Sequence, residues 1–223
     1  MKETKKKAFL EFEANSYFKR NYNFLTNYDS ENDIIIKLID EYSLKFETIC
    51  ELGCSAGGRL DFIDKKYSPK KTIGVDPSEN AIIHGKKCNK NIFFHKGTSD
   101  NLKFISSQSV DLLIIGFFLY VVDRELLLKS IYEIDRVLKK NGNLIVVDFY
   151  SSTPSMSNYS HLLDEKAHLF KQKYYEIFLS TKEYELIDLR SLDHKSMKLN
   201  AINKSDDLVS ISLLRKSFRR VEI

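Results

Sequence analysis

The chain has 223 residues, 43% of them hydrophobic and 30% charged, and 35 basic against 31 acidic side chains leave a net charge of +4. That length supports one sizeable core and leaves little room for two. The positive excess is spread along the chain and clusters only at Lys5-Lys6-Lys7, Arg215-Lys216 and Arg219-Arg220, which argues against a nucleic-acid binder, whose cations gather in one stripe or face.

Residues 2–17 can form a helix with Ala8, Phe9 and Phe12 on one side. Asn21, Asn23, Asn27 and Asp29 then read as turn. Asp33 can cap a short helix in which Ile35, Leu38, Ile39 and Tyr42 recur at helical spacing. From there strands and helices alternate. TICELG (48–53) is a buried strand running into a glycine-rich turn, followed by a helix over 58–65. TIGVD (72–76) is a second strand, with a helix beginning near Ser78. NIFFH (91–95) and VDLLII (110–115) are the third and fourth strands. Asp123 caps a long helix whose Leu127, Ile131, Ile134 and Leu138 keep one face apolar, and Asn141-Gly142 ends it. NLIVVDF (143–149) is the fifth strand.

Apolar strands separated by helices imply an α/β fold with a mostly parallel sheet covered on both faces. The remainder reads differently. Residues 151–158 are polar, contain Pro154 and suggest a loop, and 171–180 suggest a helix. Two strands with no helix between them (184–192 and 208–214) predict an antiparallel hairpin at the sheet edge.

The decisive segment is Glu51-Leu52-Gly53-Cys54-Ser55-Ala56-Gly57-Gly58, with Asp76 ending the next strand. A glycine-rich turn followed by an acidic residue at the end of the second strand is the general layout of a nucleoside site, in which the carboxylate takes the ribose hydroxyls. Ser55 stands where a dinucleotide site needs glycine for close approach to a pyrophosphate. Glu51 would repel a pyrophosphate and suits a ligand with an ammonium group and an adenosine end.

With these residues in view, 48–149 resembles a class I S-adenosylmethionine-dependent methyltransferase of the small-molecule type that includes the ubiquinone-biosynthesis enzymes. The segments ICELGCSAGGRL, TIGVDPSENAI, FHKGTSDNLKF, SVDLLIIGFFLY and DRVLKKNGNLIVVDF follow in order at normal spacing. YFKRN near the start and VSISLLRK near the end also resemble methyltransferases often found among bacterial surface-polysaccharide genes. The resemblance implies a Rossmann-like, seven-stranded, mostly parallel sheet with a C-terminal antiparallel hairpin and helices on both faces. It also implies one domain over 1–223, made of an N-terminal helical lid (1–45), a cofactor-binding core (46–150) and a substrate-side loop with C-terminal strands (151–223).

The resemblance further implies S-adenosylmethionine as cofactor, with S-adenosylhomocysteine as its product. Glu51, Gly53, Cys54 and Ser55 would border the methionine portion. Asp76 would hold the ribose, and Pro77 and Ser78 would line the adenosine. Gly97, Thr98 and Ser99 match the segment that meets the adenine; the family commonly has an acidic residue after that glycine, and Thr98 departs from this. Gly116 and Phe117 would border the sulfonium, and Arg20 with Asn21 could reach the methionine carboxylate if the N-terminal segment folds over the pocket.

A general base is needed only for an acceptor that holds its proton at neutral pH, such as a sugar hydroxyl. His161, Tyr150 and Asp123 are the candidates. The expected partner is a small-molecule methyl acceptor, with a sugar or nucleotide-linked precursor of a surface glycan as the candidate, and the chain is expected as a monomer or homodimer. A non-catalytic S-adenosylmethionine binder, an RNA methyltransferase and a nicotinamide-dependent oxidoreductase remain as alternatives.

Cys50, Cys54 and Cys88 are odd in number and form no Cys-x-x-Cys pair, so neither a disulfide framework nor a metal site is expected. Glu11 and Glu13 interrupt any export signal. The apolar stretch 112–122 is shorter than a membrane span. A soluble cytoplasmic protein without membrane insertion is the expectation.

Overall fold

The computed structural model describes residues 13–161, 168–194 and 208–217. Three short helices come first: α1 (Ala14–Arg20), α2 (Tyr22–Thr26) and α3 (Ile34–Glu41). The described part of the first expected helix is α1, which runs on to Arg20; residues 1–12 lie outside the described residues. The asparagine-rich stretch read as turn contains α2. Side chains close that helix, because Thr26 Oγ and Asn27 Nδ2 donate to the carbonyls of Tyr22 and Asn23 at 2.7 and 2.8 Å. Asp33 caps α3 as expected, accepting from Ile35 N at 2.8 Å.

The alternating region gives β1 (Thr48–Leu52), α4 (Gly58–Tyr67), β2 (Lys71–Asp76), α5 (Glu79–Cys88), β3 (Ile92–Lys96) and β4 (Val110–Gly116). A 3-10 turn (Leu119–Val121), α6 (Arg124–Val137) and β5 (Leu138–Tyr150) complete it. After these come β6 (Ser155–Asn158), β7 (His168–Lys171), α7 (Tyr174–Ser180), β8 (Tyr184–Asp193) and β9 (Leu208–Lys216). The seven-stranded sheet has the order β3-β2-β1-β4-β5-β9-β8. Strands β1 to β5 pair in parallel, and β9 joins β5 and β8 antiparallel. The edge hairpin is as expected.

Alternation along the central strands divides the core between the two faces. Ile49, Leu112, Ile114, Ile145 and Val147 meet Ile35, Leu38 and Ile39 of α3 with Leu60 and Ile63 of α4. Cys50, Leu113, Ile115, Leu144 and Val146 meet Leu127, Ile131 and Ile134 of α6 and Tyr174 and Phe178 of α7. The order reverses at β1, which lies between β2 and β4, so the carboxyl ends of these strands open a crevice at the switch point.

Four expectations need correction. Asn141-Gly142 does not end α6. The helix stops at Val137, and the fully buried Leu138 is already extended opposite Val110, so Lys139 to Gly142 form an irregularity within β5. Asn141 supplies its left-handed residue at φ 63°, a conformation asparagine tolerates. Asp123 occupies the N-cap position of α6, but its carboxylate makes no capping bond. The polar stretch 151–158 is not all loop, since β6 pairs with β7 in a two-stranded sheet, and the expected helix over 171–180 starts only at Tyr174.

Ile114 is fully buried at the centre of the sheet. Ile114→Ala should cost about 2–5 kcal/mol through lost burial and the cavity left behind. Urea unfolding should then show a lower midpoint at an unchanged slope; an unchanged midpoint would mean that this face is not the core.

Candidate functional site

Asp76, the last residue of β2, organises the crevice. Its Oδ2 accepts from Ser55 N and its Oδ1 from Ser78 N, each at 2.8 Å, while its backbone carbonyl accepts from Gly97 N at 3.1 Å. The residue is half-buried, and the protein around its carboxyl pushes it up to about 6 against the pull of its two backbone donors. A carboxylate has about four acceptor positions, so two remain for a ligand. Gly53 turns with φ +78°, and a Cβ there would stand 2.9 Å from the carbonyl of Gly116. This position therefore requires glycine.

Glu51 on β1 is 2% exposed. Its Oε1 pairs with Arg59 Nη1 of α4, and its Oε2 is buried with no hydrogen-bond partner among the described residues. Arg59 Nε also pairs with Asp33 Oδ2 at 2.6 Å, and Tyr28 Oη donates to the same oxygen at 2.8 Å. Burial raises the Glu51 carboxyl and Arg59 opposes it. Burial likewise works against the Arg59 charge, but Glu51 and Asp33 outweigh it and hold the guanidinium above its usual value. A Cβ on Gly116 would meet only Glu51 Oε1 at 3.6 Å and Arg59 Nη1 at 3.7 Å, so this pair faces the gap beyond β4.

The other expected residues fall around this crevice with different exposures. Ser55 (φ 48°) has a buried hydroxyl without a partner. The Cys54 side chain points down into the core, where a Cβ on Gly74 would touch its sulfur at 2.8 Å; burial raises this thiol. Half-buried Pro77 leads into Ser78, whose hydroxyl caps α5 by accepting from Ala81 N at 3.1 Å and donates to Asn15 Oδ1 at 2.9 Å. Gly97 and Thr98 are half-buried at the rim. Ser99 turns inward to Ser130 Oγ at 2.9 Å. Phe117 (φ 54°) packs edge-on against Phe149 at 5.6 Å.

Helix α1 lies over the same end of the sheet. Asn15 reaches Ser78 and Asn80, and Phe18 packs with Ala56 and Ala81. Burial raises the Tyr17 phenol, and Asp76 adds to the effect, which places α1 within electrostatic reach of the Asp76 carboxylate. Arg20 does not point into open space: it pairs with Glu13, which is 1% exposed and also accepts from Tyr159 Oη. Asn21 Nδ2 donates back to Tyr17 O at 2.9 Å.

Beyond β4 and β5, Asp148 is fully buried, and its Oδ2 accepts from Leu119 N at 2.7 Å and Tyr120 N at 3.3 Å. Burial pushes its carboxyl up to about 7. Tyr120 stacks edge-on with Phe149 at 5.0 Å, and burial raises its phenol with help from Asp148, Tyr17, Tyr159 and Glu13. Half-buried Tyr150 ends β5, half-buried Asp123 precedes α6, and exposed His161 sits 5.5 Å from the Tyr159 ring.

Residues 49–142 match the family model of the methyltransferase domain. They form a methyltransferase domain of the S-adenosylmethionine-dependent class I type. A ubiquinone/menaquinone biosynthesis C-methyltransferase of Campylobacter jejuni is 30% identical over 119 residues, which is 51% of this chain and 49% of that protein. The chain thus spans about half the length of the curated relatives it matches. Among solved structures, the 1,6-didemethyltoxoflavin N1-methyltransferase of Burkholderia thailandensis has a TM-score of 0.71 at 11% identity, covering 95% of this chain and 88% of that one. An S-adenosylmethionine-dependent methyltransferase of Mesorhizobium loti has a TM-score of 0.63 at 10% identity, covering 83% and 99%. At these identities the two structures speak for the fold.

Sequence reasoning missed Arg59 as the partner of Glu51, and Asn15 and Glu13 as parts of the same end of the sheet. The only local signal was the Arg following the glycine turn.

The raised carboxyls of Asp76 and Asp148 have a consequence for stability. Each starts from 3.8 and reaches about 6 and about 7 in the fold, so between these values the folded state binds more protons than the unfolded one. Their burial penalty is present above the folded values and is relieved as pH falls through them. The ligand-free protein should therefore melt at a higher temperature near about pH 5 than near about pH 8. A melting temperature that rises from about pH 5 to about pH 8 would count against charged carboxyls buried at these two sites.

Proposed function

We propose that this chain binds S-adenosylmethionine at the carboxyl ends of β1, β2 and β4 and transfers its methyl group to a small polar acceptor. The observation that carries the reading is Glu51, a buried carboxylate beside the glycine turn with one oxygen that meets no partner among the described residues. An acceptor atom so placed costs about 1–3 kcal/mol while unsatisfied, and an ammonium satisfies both its hydrogen bonding and its charge. Asp76 retains lone pairs for the ribose hydroxyls, and Pro77, Gly97 and Thr98 border the adenosine end. The Ser55 hydroxyl and the open face of Gly116 complete the methionine side, with only the backbone of Cys54 available there. Ser78 and Ser99 serve through their backbone, because their hydroxyls are engaged elsewhere.

The cofactor, when bound, supplies an activated methyl on a sulfonium together with its own leaving group. The protein's part is to align the acceptor and exclude water. Phe117, Tyr120 and Phe149 wall the acceptor side. A hydroxyl acceptor would give up its proton to His161, Tyr150 or Asp123, the last of which makes no capping bond. The likeness of YFKRN and VSISLLRK to methyltransferases of surface-polysaccharide loci supports a sugar or nucleotide-linked glycan precursor. The Burkholderia relative, named for a small-molecule acceptor, supports the small size.

The N-terminal segment 1–29 is the lid in this reading, with 1–12 lying outside the described residues. Because Arg20 is held by Glu13, its pairing with a methionine carboxylate requires an exchange of partners on binding.

Three measurements test the proposal. S-adenosylhomocysteine should raise the melting temperature and NAD should not; a comparable shift with NAD would remove the assignment. Asp76→Ala should weaken S-adenosylhomocysteine binding by about 1.5–3 kcal/mol in calorimetry, and unchanged affinity would mean another group holds the ribose. Limited proteolysis between residues 21 and 27 should slow when S-adenosylhomocysteine is present, whereas equal rates would exclude the lid.

A further inference from the structure

The buried charges around Arg59 do not balance. Glu51 and Asp33 carry two negative charges, and both draw on the one guanidinium, through Nη1 and Nε respectively. The Glu51 and Asp33 side chains are 2% and 7% exposed, so water does little to screen them. Oε2 of Glu51 is buried and meets no hydrogen-bond donor among the described residues. The set is one positive charge short, and the unsatisfied oxygen marks where that charge belongs.

Asp33 does not itself point at the crevice. Its Oδ1 caps α3 by accepting from Ile35 N, and its Oδ2 takes Tyr28 Oη and Arg59 Nε. Its effect on a ligand passes through Arg59. While Asp33 holds Nε, the guanidinium is shared and Glu51 keeps part of its negative potential. Without the Asp33 charge, Arg59 would answer Glu51 alone, and a ligand cation at Oε2 would gain less.

Building on the S-adenosylmethionine reading above, we infer that Asp33 is a positioning residue for cofactor selectivity: by drawing on Arg59, it keeps Glu51 negative enough to demand a ligand bearing an ammonium group. The same contacts join the start of α3 and the Tyr28 turn to the cofactor crevice, so the helical segment before β1 contributes to cofactor choice as well as to covering the site.

The test compares three adenosine thioethers by calorimetry on the full chain. S-adenosylhomocysteine reports the reading itself. Decarboxylated S-adenosylhomocysteine keeps the ammonium and lacks the carboxylate, and 5′-methylthioadenosine lacks both. Asp33→Asn preserves a good helix cap and removes the charge. It should weaken the decarboxylated ligand roughly tenfold, as expected for one unit charge lost nearby in a poorly screened site, and leave 5′-methylthioadenosine unchanged. Asp33→Ser, also a capping residue without charge, should reproduce this selective loss and guards against an artefact of the amide. A purely structural role for Asp33 would move both ligands together, and that result, or an unchanged ratio, overturns the inference while leaving the cofactor reading intact. If the unaltered protein binds none of the three, the cofactor reading fails first and the inference with it.

Discussion

The crevice depends on hydrogen bonds that converge on one residue. Asp76 receives Ser55 N and Ser78 N on its carboxylate and Gly97 N on its carbonyl, so the turns after β1, β2 and β3 are fixed to a single point. Val75 adds to this by accepting from Gly53 N at 2.8 Å and Cys54 N at 3.2 Å. Loops that end parallel strands are usually the mobile part of an α/β fold. Here they are tied to a strand end whose own position is set by pairing on both sides. The geometry offered to a ligand therefore follows from the sheet.

This arrangement places carboxylates where water is scarce. A buried charge is tolerated only when donors surround it, and the three cases differ in how fully that is met. Asp148 has three backbone donors, from Leu119, Tyr120 and Phe149, and its work is structural: it holds the 3-10 turn against β5. Asp76 has two backbone donors and spare lone pairs. Glu51 has one guanidinium, itself divided with Asp33, and an oxygen with none. Satisfaction is greatest at Asp148 on β5 and least at Glu51, on the strand between β2 and β4.

What could be read from the sequence was what is encoded locally. The alternating strands, the glycine turn and Asp76 after TIGV each depend on a few consecutive residues, and the fold follows from their order. Residues 139–142 misled because Asn-Gly commonly closes a helix, whereas the burial of Leu138 against β4 had already forced the chain into a strand. The pairing of β6 with β7 was hidden because polar edge strands carry no apolar alternation. Of the candidate site, the backbone-defined positions around Gly53 and Asp76 were legible. The charge partners were not: Arg59 meets Asp33 across 26 positions of sequence, and Tyr159 meets Glu13 across 146. An arginine or tyrosine at such a position looks like any surface residue until the fold supplies its acid.

Two strained residues show how rigid the mouth has to be. Ser55 and Phe117 both have φ near +50°, a conformation that costs a residue with a Cβ on the order of 1–3 kcal/mol and that glycine would adopt freely. Each is held by a bond it cannot easily release: Ser55 N to the Asp76 carboxylate at 2.8 Å, and Phe117 N to Val147 O at 2.9 Å. The Phe117 ring also packs against Phe149 and His194. These two residues stand on opposite sides of the gap beyond Glu51, one following β1 and the other following β4. Because tertiary contacts overrule local preference at both edges, the width of the gap is set before any ligand arrives. A preformed gap of this kind loses little entropy when it is filled.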